Sequence, residues 1–299
     1  MNSKVRQVVL PLLAALIWGV AFVFQSVSTE FVEPFTFTSA RSVIGAATLG
    51  VVLFISRRIK PAEHKKTPQD WRRLIIGGTC CGTALAVASS LQQVGIADTS
   101  AGKTAFITAL YIVIVPAAGM LFGRRVPKNV LLGIAFAVAG LYCLCMTGSF
   151  SVSKSDFILL ICAFCFAGHI LTVDHFVQFS DAIELSCVQF IAEAVLCGIC
   201  ALLFETPSIA AICACLGSLL YVGVMSSGVA FTLQIIAQKG SNPAVVSLLL
   251  SLESLFGAIA GAVMLHESLT SREVLGGALM LAAIVLAQLP ERKNSPENA

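Results

Sequence analysis

The chain has 299 residues, of which 57% are hydrophobic and only 12% charged, against about 25% charged in an ordinary soluble domain. A water-soluble fold could not cover that much apolar surface, and apolar runs of about 17 residues or more recur along the whole chain, which excludes a soluble protein with one large core. The net charge of +3 is modest, and the basic residues sit between apolar runs rather than on one face, so nothing points to nucleic acid.

Ten spans are expected, at roughly 8–28, 35–56, 73–95, 102–122, 129–147, 157–176, 183–204, 209–235, 243–265 and 273–289. They use some two-thirds of the sequence and leave no room for a soluble enzymatic domain. Continuous apolar stretches rather than alternating ones predict helices, because lipid offers the backbone no partners outside the segment. The first run follows Lys4 and Arg6 as a signal peptide would. It is long and meets no convincing small-x-small cleavage site, so it is read as a retained helix.

Polar residues within the spans come next, in chain order. Trp18, Phe22 and Gln25 make an aromatic and amide stripe on span one, and Gln92 in span three and Gln234 in span eight add amides at matching depths. Aromatic walls with few fixed charges suit a cavity that must bind and release; the alternative is interhelical hydrogen bonding. Arg41 lies about seven residues into span two. It is expected to be structural, snorkelling or pairing with Glu30, Glu33 or a backbone carbonyl. Thr108 and Tyr111 in span four are candidate cavity groups, or form a helix contact face, with Pro116 beyond them loosening the helix. His169 in span six is either a pH-sensitive group or a satisfied packing residue. Asp174 and His175 at the end of that span are expected to be solvated. Glu193 in span seven is read as structural, facing the bundle edge and hydrogen-bonding a neighbour.

Glu253 stands near the centre of "SLLLSLESLFGAIAGAVML". It lies one turn before Gly257 and two before Gly261, and small residues mark faces where another helix approaches, so the carboxylate should face protein. Burial disfavours the charged form of a carboxyl group, the property that a proton-coupling or cation-binding residue needs. The alternative is a hydrogen-bonded acid that ties spans nine and four together.

The eleven cysteines all fall in apolar spans, including Cys80, Cys81, Cys162, Cys165, Cys197 and Cys200. They read as small hydrophobes rather than a redox or metal framework. No cofactor, metal or catalytic residue is expected: His266-Glu267 has no second histidine at zincin spacing, and there is no nucleophile elbow and no phosphate-binding loop. An intramembrane enzyme is therefore disfavoured, as is a channel, which would need a charge ring or carbonyl filter.

Lys and Arg fall unequally in alternate loops. One side holds Lys4, Arg6, Arg57, Arg58, Lys60, Lys65, Lys66, Arg72, Arg73, Arg124, Arg125, Lys128, Lys239, Arg292 and Lys293; the other holds only Lys103, Lys154 and Arg272. The positive-inside rule then places both termini and the long 57–72 loop in the cytoplasm, with an even number of spans. Residues 174–184 are the weak point, because this loop should be cytoplasmic yet carries Asp174, Asp181 and Glu184 without a base.

The halves resemble each other. "ALIWGVAFVFQSV" lies over "CAFCFAGHILTVD" and "SARSVIGAATLG" over "SCVQFIAEAVLC" at 147 to 148 residues, Arg41 meeting Gln189 at 148; "AGKTAFITALYIVIV" lies over "AVVSLLLSLESLFGA" and "VPKNVLLGIAFAVAG" over "LTSREVLGGALMLAA" at about 143. A five-helix unit is thus duplicated, and five being odd, the copies must be inverted across the membrane, with a site near the midplane between them. The expected fold is an all-α integral membrane protein of ten transmembrane helices in two inverted repeats, residues 1–150 and 151–290, with a cytoplasmic tail at 291–299.

"LIWGVAFVFQ", "SARSVIGA", "LQQVGIADTSAGKTAFITALYIVIVP" and "NPAVVSLLLSLESLFGAIAGAVMLHESLT", in that order and duplicated, resemble the EamA-type families of the drug/metabolite transporter superfamily over about residues 8 to 290. The resemblance implies a central cavity lined mainly by spans one, three, four, six, eight and nine. It also implies export or exchange of small metabolites such as amino acids, coupled in many cases to an ion gradient. Glu253 resembles a feature of the whole family rather than of one substrate class. The acid that commonly precedes the last helix of each half is Glu267 in the second copy, whereas the first has Arg124-Arg125. Expected partners are a small-molecule substrate, protons and the lipid bilayer of the cell membrane, with the protein a monomer or weak homodimer.

Overall fold

In a computed structural model of the chain, residues 3–59, 66–99, 101–121, 123–145, 153–264 and 269–289 are described. They form α1 (Ser3–Ser28), α2 (Pro34–Ile59), α3 (Pro68–Ala97), α4 (Ala101–Thr108), α5 (Tyr111–Leu121), α6 (Lys128–Cys145), α7 (Lys154–Phe176) and α8 (Ala182–Phe204). Then follow the short α9 (Ile209–Ala214) and α10 (Leu216–Leu220), a π-helix (Tyr221–Ala230), α11 (Phe231–Gln238), α12 (Pro243–Leu250), α13 (Glu253–Met264) and α14 (Ser271–Gln288). Among the described residues there is no strand, and eight helical segments are long and apolar enough to cross a membrane; α6 is a shorter apolar helix. Lys60, Lys65, His266, Glu267, Arg292, Lys293 and the 291–299 tail lie outside the described residues.

Helix starts follow local chemistry. Thr67 with Asp70, Ser153 with Asp156, and Thr270 with Glu273 form capping boxes, in which hydroxyl and carboxylate satisfy the first free N–H groups. The first of these begins α3 at Pro68, so Arg72 and Arg73 belong to the helix rather than to a long loop. Span eight is shorter than expected: α9 stands apart, and the apolar span runs from Leu216 to Gln238.

Spans four and nine are not continuous helices. Each is broken at midspan, at Ala109-Leu110 and Ser251-Leu252, and each break directly follows a hydroxyl residue or contains one, Thr108 in one and Ser251 in the other. The 143-residue offset carries Thr108 onto Ser251. At the second break Ser251 Oγ donates to Leu248 O at 2.8 Å, competing with the backbone ladder for that carbonyl. The loosening expected at Pro116 does not make the first break, which lies two turns upstream; Pro116 sits inside α5.

Helix packing shows the same correspondences. A Cβ at Gly133 would stand 2.8 Å from Ala283 O, and one at Gly276 would stand 2.6 Å from Gly140 O, so α6 and α14 cross with backbones touching. The offset of 143 relates Gly133 to Gly276 and Gly140 to Ala283. Antiparallel α2 and α8 are tied at both ends. The Glu205 carboxylate accepts from Phe35 N, Thr36 N and Thr36 Oγ1, each at 2.7 Å, while Arg57 reaches Glu184 at 3.0 Å. Thr36 and Glu184, and Arg57 and Glu205, are 148 residues apart.

The acidic 174–184 segment finds its bases in structure. Asp174 pairs with Arg124 at 2.6 Å, and Glu184 with Arg57 and Lys66. Asp174 is therefore buried and ion-paired rather than solvated, because α7 ends beneath the Gly123–Pro127 turn; His175 is exposed as expected. Arg6 donates to Lys239 O and Gln7 to Gly240 O, so the start of α1 shares a side with the turn after α11. Lys103–Asp156 at 2.7 Å marks the opposite side.

Candidate functional site

The two breaks meet in the bundle. Tyr111, the first residue of α5, donates its hydroxyl to Glu253 Oε1 at 2.9 Å, and Ser254, in the first turn of α13, donates to Ala105 O at 3.2 Å. Both bonds link span four to span nine, and the offset of 143 relates Tyr111 to Ser254. Glu253 is 5% exposed and occupies the first turn of α13, where the unpaired backbone N–H groups favour negative charge. One turn on, Gly257 approaches Gly19 of α1: a Cβ on Gly19 would lie 2.6 Å from Gly257 N. The glycine stripe therefore faces protein, as its spacing requires.

Around this junction lies a narrow cavity, of about 40 Å³. Trp18, Phe22, Gln25, Gln92, Thr108, Tyr111, His169, Gln234 and Glu253, all singled out from the sequence, line it together. Spans one, three, four, six, eight and nine supply these nine residues. Arg41 adds span two, while α6, α8 and α14 contribute no lining residue.

The aromatic wall is built on Phe231, whose ring centroid lies 4.7 Å from Trp18, 5.6 Å from Phe190 and 5.9 Å from His169. His169 is fully buried, and its Nε2 lies 2.9 Å from Gln189 Oε1. With the amide oxygen accepting, Nε2 carries the proton and Nδ1 is left as an acceptor with no partner among the described residues. Gln234 Nε2 donates to Gln238 Oε1, and Gln238 in turn donates to Ile170 O at 2.8 Å, which anchors α11 to α7. Trp18 Nε1 and Gln234 Oε1 have no hydrogen-bond partner among the described residues. The lining thus carries unused donors and acceptors, and buried polar groups of that kind need water or a ligand.

Two expectations about charge are corrected. Arg41 neither snorkels nor pairs with Glu30 or Glu33; it is 3% exposed, and its Nη2 lies 3.4 Å from Glu193 Oε1. Glu193 does not face the bundle edge, since it is wholly buried where α2 and α8 pack together. Glu33 instead accepts from Thr206 N. The partner was hidden because it lies 152 residues away in sequence.

Phe166, Ile170, Ser226, Phe231 and Leu250 complete the cavity and were not singled out. Ser226 alone left a signal, in the small-residue run Ser226-Ser227-Gly228 that lets the π-helix lie close to α2. Wide π-turns of this kind are frequent at functional sites. No group of three or more potential metal ligands occurs among the described residues.

Comparison with known proteins adds sequence relationships to this geometry. The model of the "EamA-like transporter family" matches the chain twice, over residues 6–146 and 153–289. An uncharacterized transporter of Archaeoglobus fulgidus is 27% identical over 282 residues, covering 93% of this chain and 84% of its own length. A solved crystal structure at 18% identity superimposes with a TM-score of 0.78, over 98% of this chain and 99% of the other; at that identity it establishes likeness of fold alone.

Proposed function

Because the chain belongs to the EamA-like transporter family, within the drug/metabolite transporter superfamily, we propose that this membrane transporter is a secondary exporter of small organic metabolites, amino acids or related solutes among them. It works by alternating access, with protons coupled through Glu253. Ten spans in two inverted repeats, residues 1–150 and 151–290, rock about the cavity, with both termini in the cytoplasm and the protein in the cell membrane.

The observation that carries the proposal is the pair of broken helices meeting at the cavity. A break at the same register in spans four and nine places two half-helix N-termini, with Tyr111 and Glu253, at one midspan point, the arrangement by which inverted-repeat transporters bind solutes and ions. Further support comes from the double family match and from helix boundaries that recur. Ser28 and Pro34 bound α1 and α2 as Phe176 and Ala182 bound α7 and α8, 148 residues on, and Lys128 and Ser271 open α6 and α14, 143 residues apart. The contacts of Gly133 with Ala283 and Gly276 with Gly140 are what a two-fold axis through the α6–α14 crossing produces.

The carboxylate and its tyrosine partner fit proton coupling: a carboxyl that can exchange Tyr111 for a solute or a proton can report occupancy by charge. Purified protein in vesicles, loaded with a mixture of radiolabelled amino acids, tests it. Glu253→Gln should abolish release driven by a pH gradient while retaining solute exchange at equal pH. Gradient-driven release at the wild-type rate in that variant would remove Glu253 from the mechanism.

A further inference from the structure

Arg41 is an unusual residue to find on the wall of a cavity deep in an apolar bundle. A guanidinium offers five N–H donors in a planar fork, and in a dry site each wants an acceptor. Glu193 Oε1 takes one of them at 3.4 Å, well beyond the 2.7–2.9 Å of a good charge-assisted bond and without the two-pronged geometry that Arg and carboxylate prefer. Arg41 Nε is buried with no hydrogen-bond partner among the described residues, whereas the Glu193 carboxylate also has the Ser42 and Ser89 hydroxyls beside it. Arg41 lines the cavity, whereas Glu193 stands behind it against α2. The pair is charge-balanced, but the guanidinium is poorly bonded, since other hydroxyls serve its carboxylate.

That combination has a specific use. A buried arginine with a fully engaged counter-ion would be a strut; one with donors to spare, facing a cavity, is set to take an oxyanion from it. We infer that Arg41 binds a carboxylate of the transported solute, and that Glu193 is a stand-in counter-ion which holds the guanidinium when the cavity is empty and yields part of it when the solute arrives. The remainder of the wall limits what else the solute carries. Glu253 disfavours a second negative group, and Trp18, Phe166 and Phe231 accept an apolar body. The solute is therefore a small molecule with a single carboxylate, and Arg41 is the residue that reads it. This inference rests on the cavity being the transport site.

The test uses the full chain purified in detergent, with thermal stabilisation measured against leucine, leucinamide and glutamate. Leucine and leucinamide differ only in the carboxylate, and glutamate adds a second one. Wild-type protein should be stabilised by leucine at concentrations at least tenfold lower than by leucinamide or glutamate. Glu193→Gln removes the competitor and should strengthen leucine binding about tenfold, with little change for leucinamide. Because loss of either charge alone could harm folding, the neutral double variant Arg41→Gln/Glu193→Gln is made as well; in it leucine and leucinamide should bind equally. Trp18→Ala separates the two readings. If it weakens binding of leucine while the Arg41 and Glu193 variants leave the leucine-to-leucinamide ratio unchanged, the cavity reading stands and the role of Arg41 is overturned. If it leaves leucine binding unaltered, the cavity reading fails and the inference falls with it. Absence of stabilisation by any of the three probes would also overturn the inference.

Discussion

Tyr111 Oη and Glu253 Oε1 lie 2.9 Å apart, and this hydrogen bond joins the first residue of α5 to the first residue of α13 across the centre of the bundle. It brings together the two midspan breaks, so it is both a tie between helices and a feature of the cavity wall. Each reading of Glu253 offered by its sequence, coupling group or interhelical tie, has this bond in common. The predictions that follow separate position, packing and charge.

Tyr111→Phe removes the donor and leaves the carboxylate of Glu253 without its partner. Interhelical hydrogen bonds in membranes contribute about 0.6 kcal/mol on average and up to about 1.7, so the loss of stability should fall in that range. Release driven by a pH gradient should fall several-fold, whereas Ser254→Ala, which loses only the bond to Ala105 O, should cost similar stability with a smaller effect on flux. Equal effects of the two variants on both readouts would mean that the Tyr111 bond is only a tie.

At the α6–α14 crossing Gly140 has no room for a side chain. Gly140→Val should destabilise the protein by at least the 1–3 kcal/mol typical of overpacking, because its Cβ would already be 2.7 Å from Gly276 O. Gly50→Val has open space around it and serves as the control. Thermal aggregation followed by size-exclusion chromatography distinguishes them; comparable midpoints would contradict the described crossing.

Arg124 and Asp174 make an ion pair with one partner half exposed and the other buried. The exposed side keeps the pair worth about 1 kcal/mol or less, while Arg124→Gln alone should cost more than Asp174→Asn, since it leaves the buried carboxylate uncompensated, whereas the guanidinium left by Asp174→Asn can be solvated. A double-mutant cycle on thermal stability, repeated at high salt, should give a coupling energy that shrinks with ionic strength. No coupling would detach α7 from the turn that precedes α6.

Side assignment can be read chemically. In a cysteine-free background, a cysteine at Ser153 should react with a membrane-impermeant maleimide added outside the cell, and one at Thr67 only after permeabilisation. The reverse pattern would invert the proposed orientation while leaving the fold untouched.

Much of this molecule follows from local rules that a sequence displays. Twenty-residue apolar runs must be helices in lipid, capping pairs such as Ser153 with Asp156 start them, and two offsets between the halves anticipate how boundaries recur in the structure. The cavity residues were legible because amides, aromatics and an acid in apolar spans have few other places to go, and nine of them do converge. What tertiary structure alone decided is of another kind. The breaks at Ala109-Leu110 and Ser251-Leu252 carry no proline or glycine to announce them. Arg41 and Glu193, 152 residues apart, pair only because α2 and α8 lie side by side, and buried Asp174 finds its counter-charge in Arg124, from the turn before α6. Composition and periodicity fix which segments enter the bilayer; the partner of each charge depends on which helices then pack together, and that is set by contacts distant in the chain.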